Sequence, residues 1–425
     1  MSAFDLIALL LVLSAGFSYF NHRWLHLPTT IGLMLIGLVF SLALLGLSFV
    51  FPAISASAKA IVASIDFNAT LMNGMLGFLL FAGALHVNLG DLLDHKWPIL
   101  ALATLGLLLS TAILGALSYA VAQLLGLNLS FSMCLLFGAL ISPTDPIAVL
   151  ALLEQAGAPK PLSISIAGES LFNDGVGVVV FLAILGIATG ESGFDPQVVL
   201  RLLVSEALGG AVLGLVIGYA AYRLLKSIDQ YQVEVLITLA TVAGGYAFAT
   251  RVHVSGPIAM VIAGLIVGNQ GRAFAMSDRT RENVDTFWEL IDEVLNAVLF
   301  AMIGLEVIAI SIPQHHVAFG IATIGVVLFA RFASVAIPLV LFRLQHGLHK
   351  GAIRILTWGG LRGGISVALA LSIPTHLSTS FSEQRSVLIS ATYMVVVFSI
   401  LVQGLTVRGV VRRVLASSSE TPEAT

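Results

Sequence analysis

The run FSMCLLFGALISPTDPIAVLALL, residues 131–153, reads as a membrane helix broken at its centre. Pro143 and Pro146 each lack a backbone N–H and clash with a continuing helix. Asp145 followed by Pro146 has the form of an N-cap with proline at the first helical position. A new half-helix is therefore expected to start there, in mid-membrane. A second run, GAIRILTWGGLRGGISVALALSI at residues 351–373, is interrupted at the matching place. Its centre holds Gly359, Gly360, Gly363 and Gly364 around the cation Arg362. Irregular backbone at membrane depth is tolerated only where protein or a cavity satisfies it. Two ordinary kinks in packed helices are the alternative, but polar residues accompany both breaks.

The rest of the chain fixes the membrane setting. Of 425 residues, 58% are hydrophobic and 10% charged, and mean hydropathy is +1.01; soluble domains carry about 25% charged residues. The apolar runs are helix-length, not the roughly 10-residue alternating strands of a membrane barrel. Thirteen spans are expected, at about 4–20, 30–48, 70–87, 98–123, 131–153, 163–189, 198–222, 232–250, 255–269, 285–309, 317–342, 351–373 and 386–407. The first lacks the pattern of a cleaved signal peptide. With the N-terminus outside, 14 Lys and Arg fall on inner loops and the C-terminus, 4 on the outer side, and Arg331 and Arg362 within spans. That asymmetry predicts a cytoplasmic C-terminus. No soluble domain is expected, residues 49–69 read as an interfacial segment, and the tail after Ala416 reads as disordered. The single Cys134 excludes an internal disulfide and a cysteine-based metal site.

An odd linker helix between two groups of six would give inverted repeats. Broken helices at corresponding places in such repeats are a transporter signature. The polar residues support it. A charge at the bilayer centre costs roughly 2.5–3.5 kcal/mol on insertion scales, yet the sixth span carries Glu169, Ser170, Asn173 and Asp174. Thr144, Asp145, Asp174 and Arg362 all fall near mid-span, so three helices bring ionisable groups to one depth. Ser170 and Asp174 share a helix face, as do Glu169 and Asn173, about 100° apart. Ser170 and Asp174 can line a site of hard oxygen ligands for an alkali cation. Glu169 and Asn173 face elsewhere and can serve structure. A buried Glu needs a partner, and Arg362 is the cation expected for Glu169; pairing of Arg362 with Asp174 is the alternative. Arg331 is expected to pair with Glu306 or cap a cavity. Asp285, Glu289, Asp292 and Glu293 form an acidic face that reads equally as a cation funnel or a solvated helix end. The ten histidines lie mostly at span ends, including His315 and His316; interfacial placement is expected rather than a pH sensor.

The strings Ser142-Pro143-Thr144-Asp145-Pro146, Gly168-Glu169-Ser170-Leu171-Phe172-Asn173-Asp174 and Gly359-Gly360-Leu361-Arg362-Gly363, in this order, resemble the monovalent cation/proton antiporters of the NhaP and NHE type. The resemblance covers nearly the whole chain. It implies an all-α membrane fold of the NhaA-like kind, with residues 1–97 and 225–310 as scaffold and dimerisation helices. Residues 98–196 and 311–415 would be the transport helices, 197–224 the linker helix, and 416–425 a disordered cytoplasmic tail. It implies a homodimer with elevator-like movement, in a prokaryotic inner membrane, serving sodium and pH homeostasis. It implies Na+ at Asp174, Ser170, Thr144 and Asp145, oriented by Asn173, and the Glu169–Arg362 pair. Some relatives supply a carboxylate from the third helix; the matching residues 78–88 hold His86 and no acid.

The expected mechanism is competition of one H+ and one Na+ (or Li+) for Asp174, with Asp145 neutralising half-helix N-termini. By resemblance, Asn173-Asp174 in place of two aspartates marks the electroneutral branch. K+/H+ exchange is the alternative, because oxygen ligands do not rank alkali ions. A channel would want a continuous polar lining, whereas the polar groups here cluster at one depth. An enzyme is not expected: Ser170 has no histidine at its depth, and no His/Cys metal spacing occurs. The expected partners are monovalent cations, protons and the lipid bilayer, with no cofactor and no nucleic acid.

Overall fold

The computed structural model describes residues 3–47, 66–146, 149–150, 153, 157–190, 196–308, 313–342, 351–375 and 378–419. Among these residues the regular structure is helical, and the only β feature is one isolated bridge, between Asp145 and Leu361. In chain order the main helices are α1 (Ala3–Phe20), α2 (Thr29–Leu47), α3 (Phe67–His86), α4 (Lys96–Leu124), α5 (Phe131–Ile141), α6 (Lys160–Ala188), α7 (Pro196–Leu225) and α8 (Tyr231–Arg251). They continue with α9 (Gly256–Ile266), α10 (Asp278–Glu306), α11 (Gln314–Leu341), α12 (Ala352–Trp358), α13 (Gly364–Ser372), α14 (Thr379–Phe398) and α15 (Gly404–Ser419). The expected interfacial segment at 49–69 lies mostly outside the described residues. So does the tail beyond residue 419, but α15 runs on to Ser419, so the first residues of the expected disordered tail are helical.

Nine helices among the described residues are long and apolar enough to cross a membrane. The other four of the thirteen expected stretches fall short of that standard for visible reasons. The fifth and twelfth are broken at Ser142 and Gly359, leaving short α5, α12 and α13. The ninth is short. The tenth is long, but its first half carries eight Asp, Glu and Arg residues from Asp278 to Glu293. Large apolar side chains such as Phe4, Ile7 and Leu11 on α1 and Leu208, Val212 and Leu215 on α7 face outward, as a lipid-contacting surface requires.

Serine caps set several helix starts. Ser130, Ser255, Ser277 and Ser378 each accept a hydrogen bond from the backbone N–H three residues on, opening α5, α9, α10 and α14. The Ser277 cap starts α10 at Asp278, before the edge expected at 285. One buried cluster joins α4, α5, α6, α11, α13 and α14 through residues such as Leu114, Phe137, Phe181, Phe319, Leu369 and Leu388. Another joins α3, α7, α8, α9 and α10 through Phe81, Ala221, Val242, Met260 and Trp288. The Trp288 indole N–H donates to Thr238 Oγ1 at 2.9 Å. α2 and α10 approach so closely that a Cβ on Gly304 would lie 2.7 Å from the Gly37 Cα. Small residues give this kind of backbone contact where lipid supplies no hydrophobic drive between helices.

Candidate functional site: two broken helices crossing beside a buried carboxylate

The two breaks cross. The Asp145 N–H donates to the Leu361 carbonyl at 2.8 Å, which makes the isolated bridge. After Pro146 the chain turns helical again, with the Val149 and Leu150 N–H groups donating to the Pro146 carbonyl. The crossing is close: a Cβ on Gly363 would collide with the Asp145 side chain. Glycine there lets the Asp145 carboxylate lie against the residue that precedes α13, where the helix dipole is positive.

Arg362 is spent on the crossing itself. In an unbroken helix the Ser142 carbonyl would accept from residue 146, but that residue is a proline and has no N–H. The Arg362 guanidinium replaces the missing donor. Its Nη1 donates to the Ser142 and Pro143 carbonyls at 2.6 and 2.9 Å. A cation at the C-terminal end of α5 also meets the negative end of that helix dipole. The Arg362 backbone N–H donates to Ser399 Oγ at 2.9 Å. Ser399 Oγ donates on to Gln403 Oε1, and Gln403 Nε2 donates to the Trp358 carbonyl. This chain of bonds braces the second break from behind.

Glu169 therefore does not pair with Arg362. It forms a two-pronged ion pair with Arg331 of α11, with the second prong at 3.0 Å and both side chains buried. Arg331 also donates from Nε to the Leu356 carbonyl at 3.1 Å, so one side chain joins α6, α11 and α12. Arg331 accordingly takes neither of its expected roles, the Glu306 pair or a cavity cap. The reason is rotational. Arg331 projects to the Glu169 face of α6, whereas Arg362 projects to the Ser142 and Pro143 carbonyls.

Asn173 does not face away from the site either. Its Nδ2 donates to Thr144 Oγ1 at 2.9 Å, and its Oδ1 accepts the Thr144 N–H at 3.3 Å. The Thr144 hydroxyl in turn lies 2.9 Å from Ser170 Oγ. Asn173 thus fixes the first break against α6 and holds two hydroxyl oxygens together. Asp174 is buried, 8% exposed, and no described residue gives its carboxylate a hydrogen bond or an ion pair.

Asp174 opens instead onto a cavity of about 560 Å³. Thr144, Asp145, Asp174 and Ser366 line it on one side, Asp292 and Asn296 of α10 on another, and His86 and Asp91 near α3 also reach it. The expected acidic face of α10 is split by the fold. Asp285 is ion-paired with Arg272, Glu289 and Glu293 are exposed, and Asp292 alone of the four lines the cavity. Asn296 went unread in the sequence. It is 4% exposed, and among the described residues neither its amide N nor its amide O finds a hydrogen-bond partner. Each such orphaned polar group costs about 1–3 kcal/mol. Its spacing of four from Asp292 was the signal that could have placed it on the same face.

Residues 8–413 match the family described as "Sodium/hydrogen exchanger, transmembrane". The chain is 52% identical over 417 residues to the Na(+)/H(+) antiporter NhaP of Pseudomonas aeruginosa, covering 97% of each protein. It is 35% identical over 391 residues to the Na(+)/H(+) antiporter NhaH of Halobacillus dabanensis, covering 91% of this chain and 92% of that one. In fold it is similar to the sodium proton antiporter MjNhaP1 from Methanocaldococcus jannaschii, with a TM-score of 0.73 at 20% identity over 97% of this chain and 98% of that one. Matched along nearly its whole length, the chain belongs to the transmembrane sodium/hydrogen exchangers, as a sodium/proton antiporter of the NhaP type.

Proposed function

We propose that this protein exchanges Na+ or Li+ for H+ by competition at Asp174, one proton against one cation. The observation that carries this reading is a buried carboxylate, free of protein partners among the described residues, facing a largely apolar cavity that Thr144 also lines, with the Ser170 hydroxyl bonded to Thr144 behind it. An intramembrane carboxylate of this kind favours whichever cation reaches it. Charge bookkeeping supports a neutral cycle. Glu169 and Arg331 cancel. Arg362 and Asp145 meet half-helix ends of opposite sign. Asp174 is left to be neutralised by H+ or Na+, and only the neutralised site crosses readily.

The same reading includes elevator-like movement. The cluster of α4, α5, α6, α11, α13 and α14 carries the crossing and Asp174, while α3 and α10 wall the cavity from the neighbouring cluster. Residues 98–196 and 311–415 are the moving part in this proposal, and 1–97 and 225–310 the scaffold of a homodimer, with the linker at 197–224. The setting is a bacterial inner membrane with the C-terminus cytoplasmic, in line with the Lys and Arg asymmetry.

The test is purified protein in proteoliposomes under a pH gradient, with the membrane potential clamped and Na+, Li+ or K+ added in turn. Dissipation by Na+ and Li+ is expected. Dissipation by K+ above both would replace this reading with K+/H+ exchange, and no response to any of the three would remove it. Asn173→Asp probes the charge count. A second carboxylate at the site is expected to make exchange electrogenic, read as a membrane-potential change when Na+ is added without the clamp. Lower exchange is expected as well, because Asp cannot donate to Thr144 as the amide does.

A further inference from the structure

We propose that Asp292 and Asn296 form a second, weaker alkali-cation site on α10, one that receives Na+ from the cavity mouth and hands it to Asp174. The inference rests on the exchange reading above and adds a ligand set that lies on a different helix from Asp174. The two residues are four apart and so share a helix face. Both line the cavity that Asp174 faces. Asp292 is half-buried and sits one turn nearer the charged start of α10. Asn296 is deeper, 4% exposed, and neither end of its amide makes a full hydrogen bond among the described residues. The polar neighbour of this amide is the Asp292 carboxylate one turn back, too loosely placed to satisfy it, so carboxylate and amide together offer oxygens to a ligand that comes and goes.

The chemistry is that of hard oxygens. One carboxylate and one amide carbonyl, completed by water in a roomy cavity, suit a partly hydrated Na+ or Li+ and hold it loosely. A site that must pass its ion on cannot bind tightly. Across the cavity, His86 and Asp91 face the same space. The third helix carries no acid at residues 78–88, and α10 contributes a carboxylate to the cavity through Asp292.

Antiport in proteoliposomes over a Na+ series tests this, read as the half-saturating Na+ concentration and the maximal rate. Asn296→Leu is expected to raise half-saturation about fivefold, equivalent to about 1 kcal/mol, with the maximal rate within about twofold. Asn296→Asp is expected to keep or lower half-saturation, because an oxygen ligand remains; loss of a packing role would instead impair both variants alike. Asp292→Asn is expected to raise half-saturation as well, and less so at high ionic strength, since added salt screens a half-exposed charge. Unchanged half-saturation in Asn296→Leu, or an equal rise in Asn296→Asp, would overturn the proposal. Should the Asn296 variants fail to fold, Asp292→Asn decides alone, and unchanged half-saturation there overturns it. If wild type shows no exchange at all, the exchange reading fails, and the α10 site is then judged by binding. Na+ should raise the melting temperature of Asp174→Asn protein, and Asn296→Leu should remove that rise; a rise that persists would overturn the site.

Discussion

Asp174→Asn is expected to reduce cation-driven proton movement to the level of protein-free liposomes while leaving a folded, extractable protein. The amide is nearly isosteric with the carboxyl group, so packing on α6 is kept. What is lost is the charge that H+ and Na+ compete for. Thr144 and Ser170 offer only neutral hydroxyls, and Asp145 already lies against the N-terminal end of α13. Neither can take over a titrating role. Stability should hold or rise, because the substitution removes a buried carboxylate that no described residue pairs, and an uncompensated buried charge is costly. The measurement is Na+-triggered pH change in proteoliposomes, with a melting curve of the same preparation. Residual exchange at a substantial fraction of wild type would move the competing group elsewhere, and Asp145 would be the next carboxylate to test. Collapse of the melting temperature would instead make Asp174 a structural residue.

The second large effect is expected on stability. Arg331→Ala should destabilise by about 3–5 kcal/mol, the range for breaking a buried pair by deleting one partner. Deletion leaves Glu169 charged and buried, and removes the Nε donor from the Leu356 carbonyl. It also unties α6, α11 and α12 from one another. Glu169→Ala should destabilise comparably by stranding Arg331. The double substitution Glu169→Gln with Arg331→Met should recover part of the loss, since replacing both partners removes the stranded charge. Melting temperatures of the three variants check this. A double variant no better than the singles would show that packing around Arg331, more than the charge pair, holds these helices. Arg362→Ala makes a contrast: it strips the Ser142 and Pro143 carbonyls of their donor, so transport should suffer through a misplaced crossing, while the Glu169–Arg331 pair stays intact.

Much of the fold was legible in single residues. Pro143 and Pro146 lack the donors a helix needs, so the break at Ser142–Pro146 follows from covalent chemistry, and four glycines around Arg362 marked its counterpart. The serine caps at Ser277 and Ser378 went unread, so the expected edges at 285 and 386 fell inside α10 and α14. Depth was legible too, because span position fixes height at about 1.5 Å per residue. The partner of Glu169 was not. Depth pointed to Arg362 and left Arg331 to Glu306 or a cavity cap, because which cation reaches Glu169 depends on the rotation of each helix about its axis. A clue lay unread at Pro146: its missing N–H orphans the Ser142 carbonyl and calls for a donor, which Arg362 supplies. The acidic start of α10 misled for a related reason. Periodicity put Asp285, Glu289, Asp292 and Glu293 on one end of a helix, but only packing decides that Asp285 meets Arg272 and that Asp292 meets the cavity.

By itself, the sequence determined that this is a multi-pass helical membrane protein with two helices broken in mid-membrane and a carboxylate-bearing helix beside them. Those properties depend on local chemistry: apolar length, missing N–H groups, capping hydroxyls and the cost of charge in lipid. The tertiary structure alone decided which charges cancel, which oxygens gather at Thr144, and that Asp174 and Asn296 are buried without a hydrogen-bond partner among the described residues. Those depend on how helices far apart in the chain are turned toward one another, and no residue carries that angle in its own neighbourhood.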